Sequence, residues 1–295
     1  MPATCVSLSL ATHERRTSPD GLTLQARARA VLGFSSMGRK AAIRIGCSGW
    51  QYRHWRGDFY PATLPASQWL EYYAARFDTV EINNSFYRLP EAATFADWRR
   101  RVPSRFTYAV KASRYLTHMK KLKDAEPAVE LFFSRAHHLR QHLGPVLYQL
   151  PPHWARNLER LEAFLRIVPT DRLHAIEFRD PSWYDDTTFA LLDKYHVALC
   201  LHDMAGSASG RLTVGPFAYV RFHGPQRYSG GYAKAELASW ADWCVACREK
   251  GRAVYAYFNN DVGGHAPRDA ATLRELCESV LGRGRTRRTG QPIAS

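Results

Sequence analysis

The chain has no apolar run approaching the roughly 20 residues that a helix needs to cross a bilayer, which argues against a helical membrane span. Cysteine is scarce. Six residues (Cys5, Cys47, Cys200, Cys244, Cys247 and Cys277) scattered over 295 make no disulfide framework, so a reducing, cytoplasmic compartment is expected. Cys244 and Cys247 lack the second pair that a structural zinc site requires. They fall in a helical stretch with Trp240 and Trp243, where cysteines three apart pack as small apolar side chains. No Walker loop, GxGxxG fingerprint or nucleophile elbow stands in a fitting context, which argues against nucleotide cradles and serine-hydrolase chemistry. A single dense block of positive charge is also missing, although the net charge is +14. Residues 1–40 and the arginines after Gly282 each carry four of that surplus, and the remaining six are spread over residues 41–281. Such a spread reads as a solvated basic surface.

A repeated unit is present instead. β-rich runs occur at 43–47, 79–83, 106–111, 146–150, 175–179, 197–202, 218–223 and 253–258. Most are followed by apolar residues at helical spacing, as in 67–77, 128–143, 158–168 and 235–250. Gly144 and Gly251 fall where helix C-caps belong. Strands and helices alternating over residues 41–282 predict a (β/α)8 TIM-type barrel, a fold of about 250 residues. The run MAGSASGRLTVGPF after the sixth strand is too rich in glycine for a normal helix, so the sixth helix is expected to be short or absent. Residues 1–40 lack periodicity and are expected to be disordered or extraneous. Met37, just before the first strand, suggests that residues 1–36 reflect the choice of start codon, although their arginine- and serine-bearing, acid-poor composition also suits a transit peptide. Residues 283–295 read as a disordered basic tail.

Side chains alternate along a strand, and in a barrel one row faces the helices while the other faces the axis. Assigning the apolar row outward leaves Glu81 and Asn83 inward on the second strand, Lys111 on the third and Gln149 on the fourth. The fifth gives Glu177 and Arg179, the sixth His202, the seventh Arg221 and His223, and the eighth Asn259. All lie near strand C-termini, the end at which barrel enzymes build their sites. The loops that follow are aromatic and supply Trp50, Tyr87 and Trp183 as candidate ligand-facing rings, with lids over the core as the alternative.

These segments carry a resemblance. IGCSGWQYRHWRGDFYP, TVEINNSFYRLP, YAVKASRYLTH, LGPVLYQLPP, IEFRDPSW, YVRFHG and YAYFNND together resemble the YecE-like family, domain of unknown function 72. The resemblance implies a barrel of the triosephosphate-isomerase type and implies no reaction.

The residues themselves suggest acid/base chemistry on a small polar, anionic ligand bearing phosphate or carboxylate. Glu81 and Glu177 are the candidate acid/base carboxylates, which in a glycosidase would be set apart by a decisive distance. His223 is the candidate proton carrier, because its neutral form is available near pH 7. Lys111 is either a salt-bridge partner of Glu81 or a general acid/base. Arg179 and Arg221 would clamp the anion, or else only neutralise the two glutamates. Asn83, Gln149, His202 and Asn259 would orient the ligand. Glu81, Glu177, His202, Asp203 and His223 are also the ligand types of a metal-dependent hydrolase or isomerase, but cations sharing that space weigh against a metal. A nucleic-acid-binding or processing protein, using the basic surface and aromatic loops, is the alternative. Cofactor and oligomeric state are not indicated.

Overall fold

The computed structural model describes residues 41–289, with side chains described to residue 283. The expectations for residues 1–40, and for the last six residues, lie outside the described residues. Eight strands are present: β1 (Ile43–Cys47), β2 (Thr79–Ile82), β3 (Thr107–Lys111), β4 (Leu143–Gln149), β5 (His174–Glu177), β6 (Ala198–Asp203), β7 (Ala218–Phe222) and β8 (Val254–Phe258). The α-helices are α1 (Trp69–Ala74), α2 (Ala92–Arg100), α3 (Glu126–Ala136), α4 (Leu158–Ile167), α5 (Asp186–Lys194), α6 (Lys234–Glu249) and α7 (His265–Thr289). The last helix thus runs past the expected domain limit at residue 282. One α-helix follows every strand except β6, whose connection through Met204–Phe217 contains none, in keeping with its glycine content.

The strands are parallel and ordered β1-β8-β7-β6-β5-β4-β3-β2, a nearly closed (β/α)8 barrel. Backbone ladders join every neighbouring pair except β1 and β2, which form a seam. Side chains close it. Tyr73 Oη accepts from the Cys47 amide at 2.7 Å and donates to the Thr79 carbonyl at 3.0 Å. Gly46 is required there, because a Cβ would stand 2.3 Å from the Thr79 carbonyl oxygen.

Local chemistry explains the helix limits. Asn157 caps α4 by accepting from the Arg160 amide, and Asp185 caps α5 by accepting from Thr187 and Thr188. Gly251 ends α6 with φ +79°, as expected. Gly144 does not cap a helix. It lies within β4, where a Cβ would meet Thr107 Cγ2 at 2.4 Å, and the preceding helix turns out earlier, at Arg140 with φ 51°.

Two apolar layers result. The outer one packs Val80, Ile82, Val110, Val146, Ile176, Val220 and Phe258 against the helices. The inner one, along the axis, sets Ala109, Leu147, Ala175, Ala198 and Cys200 against Tyr219, Tyr255 and Tyr257. Small side chains on β3, β5 and β6 thus make room for large ones on β7 and β8, which fills the barrel floor. Polar groups are displaced to the strand C-termini above that floor.

Candidate active site at the strand ends

Above the tyrosine layer the inward row becomes ionic. Glu81, fully buried on β2, accepts from Tyr219 Oη at 2.6 Å and from the Arg221 guanidinium at 2.9–3.1 Å, and Ser48 Oγ donates to it. Arg221 reaches the other way to Glu177 Oε2 at 2.9 Å. Glu177 also accepts from Arg179 Nε, and Arg179 in turn stands 2.9 Å from His223 Nε2. The Asn259 amide lies 3.2 Å from His223 Nδ1. Strand parity therefore delivers Glu81, Glu177, Arg179, Arg221, His223 and Asn259 into one buried network drawn from β2, β5, β7 and β8 and from the residues just beyond them.

The network's electrostatics follow from its geometry. Burial alone would raise the Glu177 pKa, but Arg179 and Arg221 outweigh it and hold the carboxyl well below its usual range. Burial likewise opposes the charge on Arg221, and Glu81 and Glu177 overcome that, so this guanidinium is a permanent cation. His223 is driven well below the ordinary imidazole value by burial, then by Arg221. It is neutral at pH 7. Because Arg179 can only donate, Nε2 of His223 is an acceptor already in use.

Two alternatives left open by the sequence are narrowed here, Arg221 to the neutralising role. Arg221 is not free to clamp an anion: its donors go to Glu81, Glu177 and Ser48 (the last at 3.4 Å), and it is 1% exposed. Glu81 and Glu177, the candidate acid/base pair, accordingly flank one guanidinium. Second, Lys111 makes no salt bridge with Glu81. Its ammonium sits 4.0 Å from the centroid of the Phe86 ring and forms no hydrogen bond or ion pair among the described residues. Burial, reinforced by Arg221, lowers its pKa to about 7, with Glu177 and Glu81 pulling the other way too weakly to restore it. The five-residue π turn Tyr115–Met119 brings His118 edge-on to the same Phe86 ring at 4.9 Å. Burial, and then Lys111, push the His118 pKa to about 4.

Further polar atoms at the mouth lack partners. Asn83 Oδ1 and His202 Nδ1 are buried without a hydrogen bond, although His202 Nε2 reaches Ser207 Oγ at 3.1 Å. Asn83 follows directly after β2, whose ladder sets Ile82 opposite Val110, so its backbone lies beside that of Lys111. Gln149 ends β4 opposite Glu177. Of the aromatic candidates, Trp50 and Trp183 do not join the cluster, whereas Tyr87 packs at right angles to Phe86 at 5.1 Å. Trp50 packs edge-on to Trp98 of α2 at 5.1 Å, in the outer layer. Trp183 stacks on Phe178 at 4.7 Å and donates from Nε1 to the Trp154 carbonyl. Tyr87 is 77% exposed.

Among the described residues no group of three or more His, Cys, Asp or Glu side chains converges as metal ligands would. Asp203 points out of the barrel, accepting from Trp240 Nε1 at 3.1 Å. A surface cavity of about 670 Å³ lies away from these groups, lined by Gln51, Arg53, Arg56, Ala66 and Trp69. Sequence reasoning missed Ser48, Cys200, Tyr219, Phe86 and His118. Ser48, Cys200 and Tyr219 have the inward parity of Gly46, His202 and Arg221, so the same alternation applied to apolar and small residues would have found them.

Comparison with known proteins agrees with this architecture. A UPF0759 protein, YunF, from Bacillus subtilis is 27% identical over 274 residues, covering 80% of this chain and 95% of its own. UPF0759 protein YecE from Escherichia coli K12 is 28% identical over 143 residues, about half of each chain. A crystal structure of a DUF72 family protein from Thermotoga maritima superposes with a TM-score of 0.74 at 28% identity, over 80% of this chain and 99% of that one. The family model for the protein of unknown function DUF72 matches residues 44–291, and the chain belongs to that family.

Proposed function

We propose that the protein is an enzyme that binds a small, polar, anionic ligand at the C-terminal mouth of the barrel and moves protons there. One observation carries the reading. In a mouth where Glu81, Glu177, Arg179 and Arg221 are matched charge for charge, Lys111 is left over, buried and without a counter-ion. A buried cation normally has a partner. A phosphate or carboxylate ligand supplies it, and the orphaned Asn83 Oδ1 and His202 Nδ1 offer further hydrogen-bonding positions for hydroxyl groups. With its pKa at about 7, Lys111 is also poised to accept or return a proton near neutrality, whereas His223 is engaged by Arg179.

The paired residues then have a different task. Arg221 and the two glutamates fix the electrostatic frame, and the β3 side performs the exchange. Thermal-shift screening against phosphorylated and carboxylated sugars and hydroxy acids tests the reading. A stabilising compound is expected whose effect disappears in Lys111→Met and weakens in Asn83→Ala. Compounds that stabilise wild type and Lys111→Met equally would place the ligand elsewhere.

A further inference from the structure

Lys111 has surroundings that a lysine serving only as a counter-ion would not need. It ends β3, a rigid element, and its backbone carbonyl is pinned by Ser85 Oγ at 2.6 Å. Its ammonium lies over the aromatic face of Phe86, supplied by the Asn84–Phe86 turn. The charged and titratable groups that bear on it are Glu81 from β2, Glu177 from β5, Arg179 beyond β5, Arg221 from β7, and His118 from the π turn after β3. Both glutamates are committed to guanidinium groups, and neither comes within ion-pairing distance of the lysine. The arrangement withholds from Lys111 the carboxylate that would keep it protonated, and it places fixed cations nearby. Desolvation and neighbouring positive charge are the two devices that turn a lysine into a nucleophile.

We propose that Lys111 is the Schiff-base lysine of this site and that the substrate is a small aldehyde or ketone bearing the anionic group. This rests on the mouth-binding reading above and narrows it to carbonyl compounds. The lone pair of the neutral amine attacks the carbonyl carbon, forming the C–N bond while the carbonyl oxygen takes a proton. The C–O bond of that carbinolamine then breaks, and the oxygen leaves as water carrying both amine protons. An imine remains, in which Lys111 nitrogen and the former carbonyl carbon share the double bond. No oxidant or metal is required. The imine carbon withdraws electrons from the adjacent carbon, so a proton or a carbon substituent at that position is released more readily.

Reductive trapping on the full chain tests this. The protein is incubated at pH 7 with pyruvate, glycolaldehyde phosphate or dihydroxyacetone phosphate in the presence of cyanoborohydride, and modified lysines are located by peptide mass spectrometry. At least one probe is expected to label Lys111 roughly a hundredfold faster than exposed lysines, which are almost wholly protonated at that pH. The rate should saturate with probe concentration, and a single adduct should form. Lys111→Arg, which keeps the cation and the stem, should give none. Uniform labelling of surface lysines, a rate linear in probe, or no adduct at Lys111 with any of the probes would overturn the proposal. The thermal-shift screen is read independently: a Lys111-dependent ligand with no trapping leaves proton transfer and removes the imine, whereas loss of both removes the mouth as the site.

Discussion

Arg221 and Lys111 are both cations carried inward at the top of one barrel, at 1% and 6% exposure, yet the fold treats them in opposite ways. Around Arg221 the chain spends two glutamates, a serine and, through Glu81, a tyrosine, so its charge is matched and each of its three nitrogens is engaged. Around Lys111 it places a phenyl ring and leaves the nitrogen without a partner. Matched charge makes a scaffold, because moving any member strands another in a medium that solvates ions poorly. Unmatched charge stores a preference for whatever could match it. The contrast separates a charge-matched half of the mouth from an unmatched half on physical grounds, although both halves consist of the same residue types.

The largest expected effect breaks the matched half. Arg221→Met strands Glu81 without a counter-charge, leaves Glu177 with Arg179 alone, and should cost about 3–5 kcal/mol in urea unfolding at pH 7. On the other half the sign reverses. The folded-state pKa of Lys111 is about 7, against 10.5 for an unperturbed lysine, so between those values the unfolded chain binds more protons than the folded one. Stability from this group therefore rises with pH across that window, and the burden is greatest at and below pH 7. Lys111→Met should accordingly be more stable than wild type at pH 7, by on the order of 3 kcal/mol, and the gain should shrink towards pH 10. A variant less stable at every pH would show that Lys111 has a partner and would erase the contrast. Tyr219→Phe is the smallest of these changes. It removes one hydroxyl donor to a buried carboxylate and should cost about 1.5–3 kcal/mol by the same unfolding assay.

Much of this was legible in the sequence, for a definite reason. The period of two places Glu81, Lys111, Glu177, His202, Arg221, His223 and Asn259 on the inward row whatever their partners, and the alternation of strand and helix sets the barrel. Pairing was legible only as one of two alternatives: neutralisation of the two glutamates by Arg179 and Arg221, set beside the anion clamp, is the arrangement found, whereas the place of Lys111 was open. Whether Lys111 meets Glu81 depends on how far each strand is staggered against its neighbours, and that stagger places Arg221, from the far side of the ring, against Glu81 instead. Trp50 and Trp183 misled because they leave the strand-end turns in the direction of the helices, where a large ring packs without desolvating a polar group. Gly144 misled for a related reason: the glycine was needed for close approach of β4 to Thr107, not for a left-handed turn.

The joint between β1 and β2 gives these contacts a mechanical side. Peptide groups zip all the other pairs of neighbouring staves together, but at that joint the fastening is by side chains, among them Tyr73, Ser48 with Glu81, and Arg44 with Asp78, groups that rotate and can be competed for. Loosening any of these side chains would therefore slacken the hoop at this joint before any other.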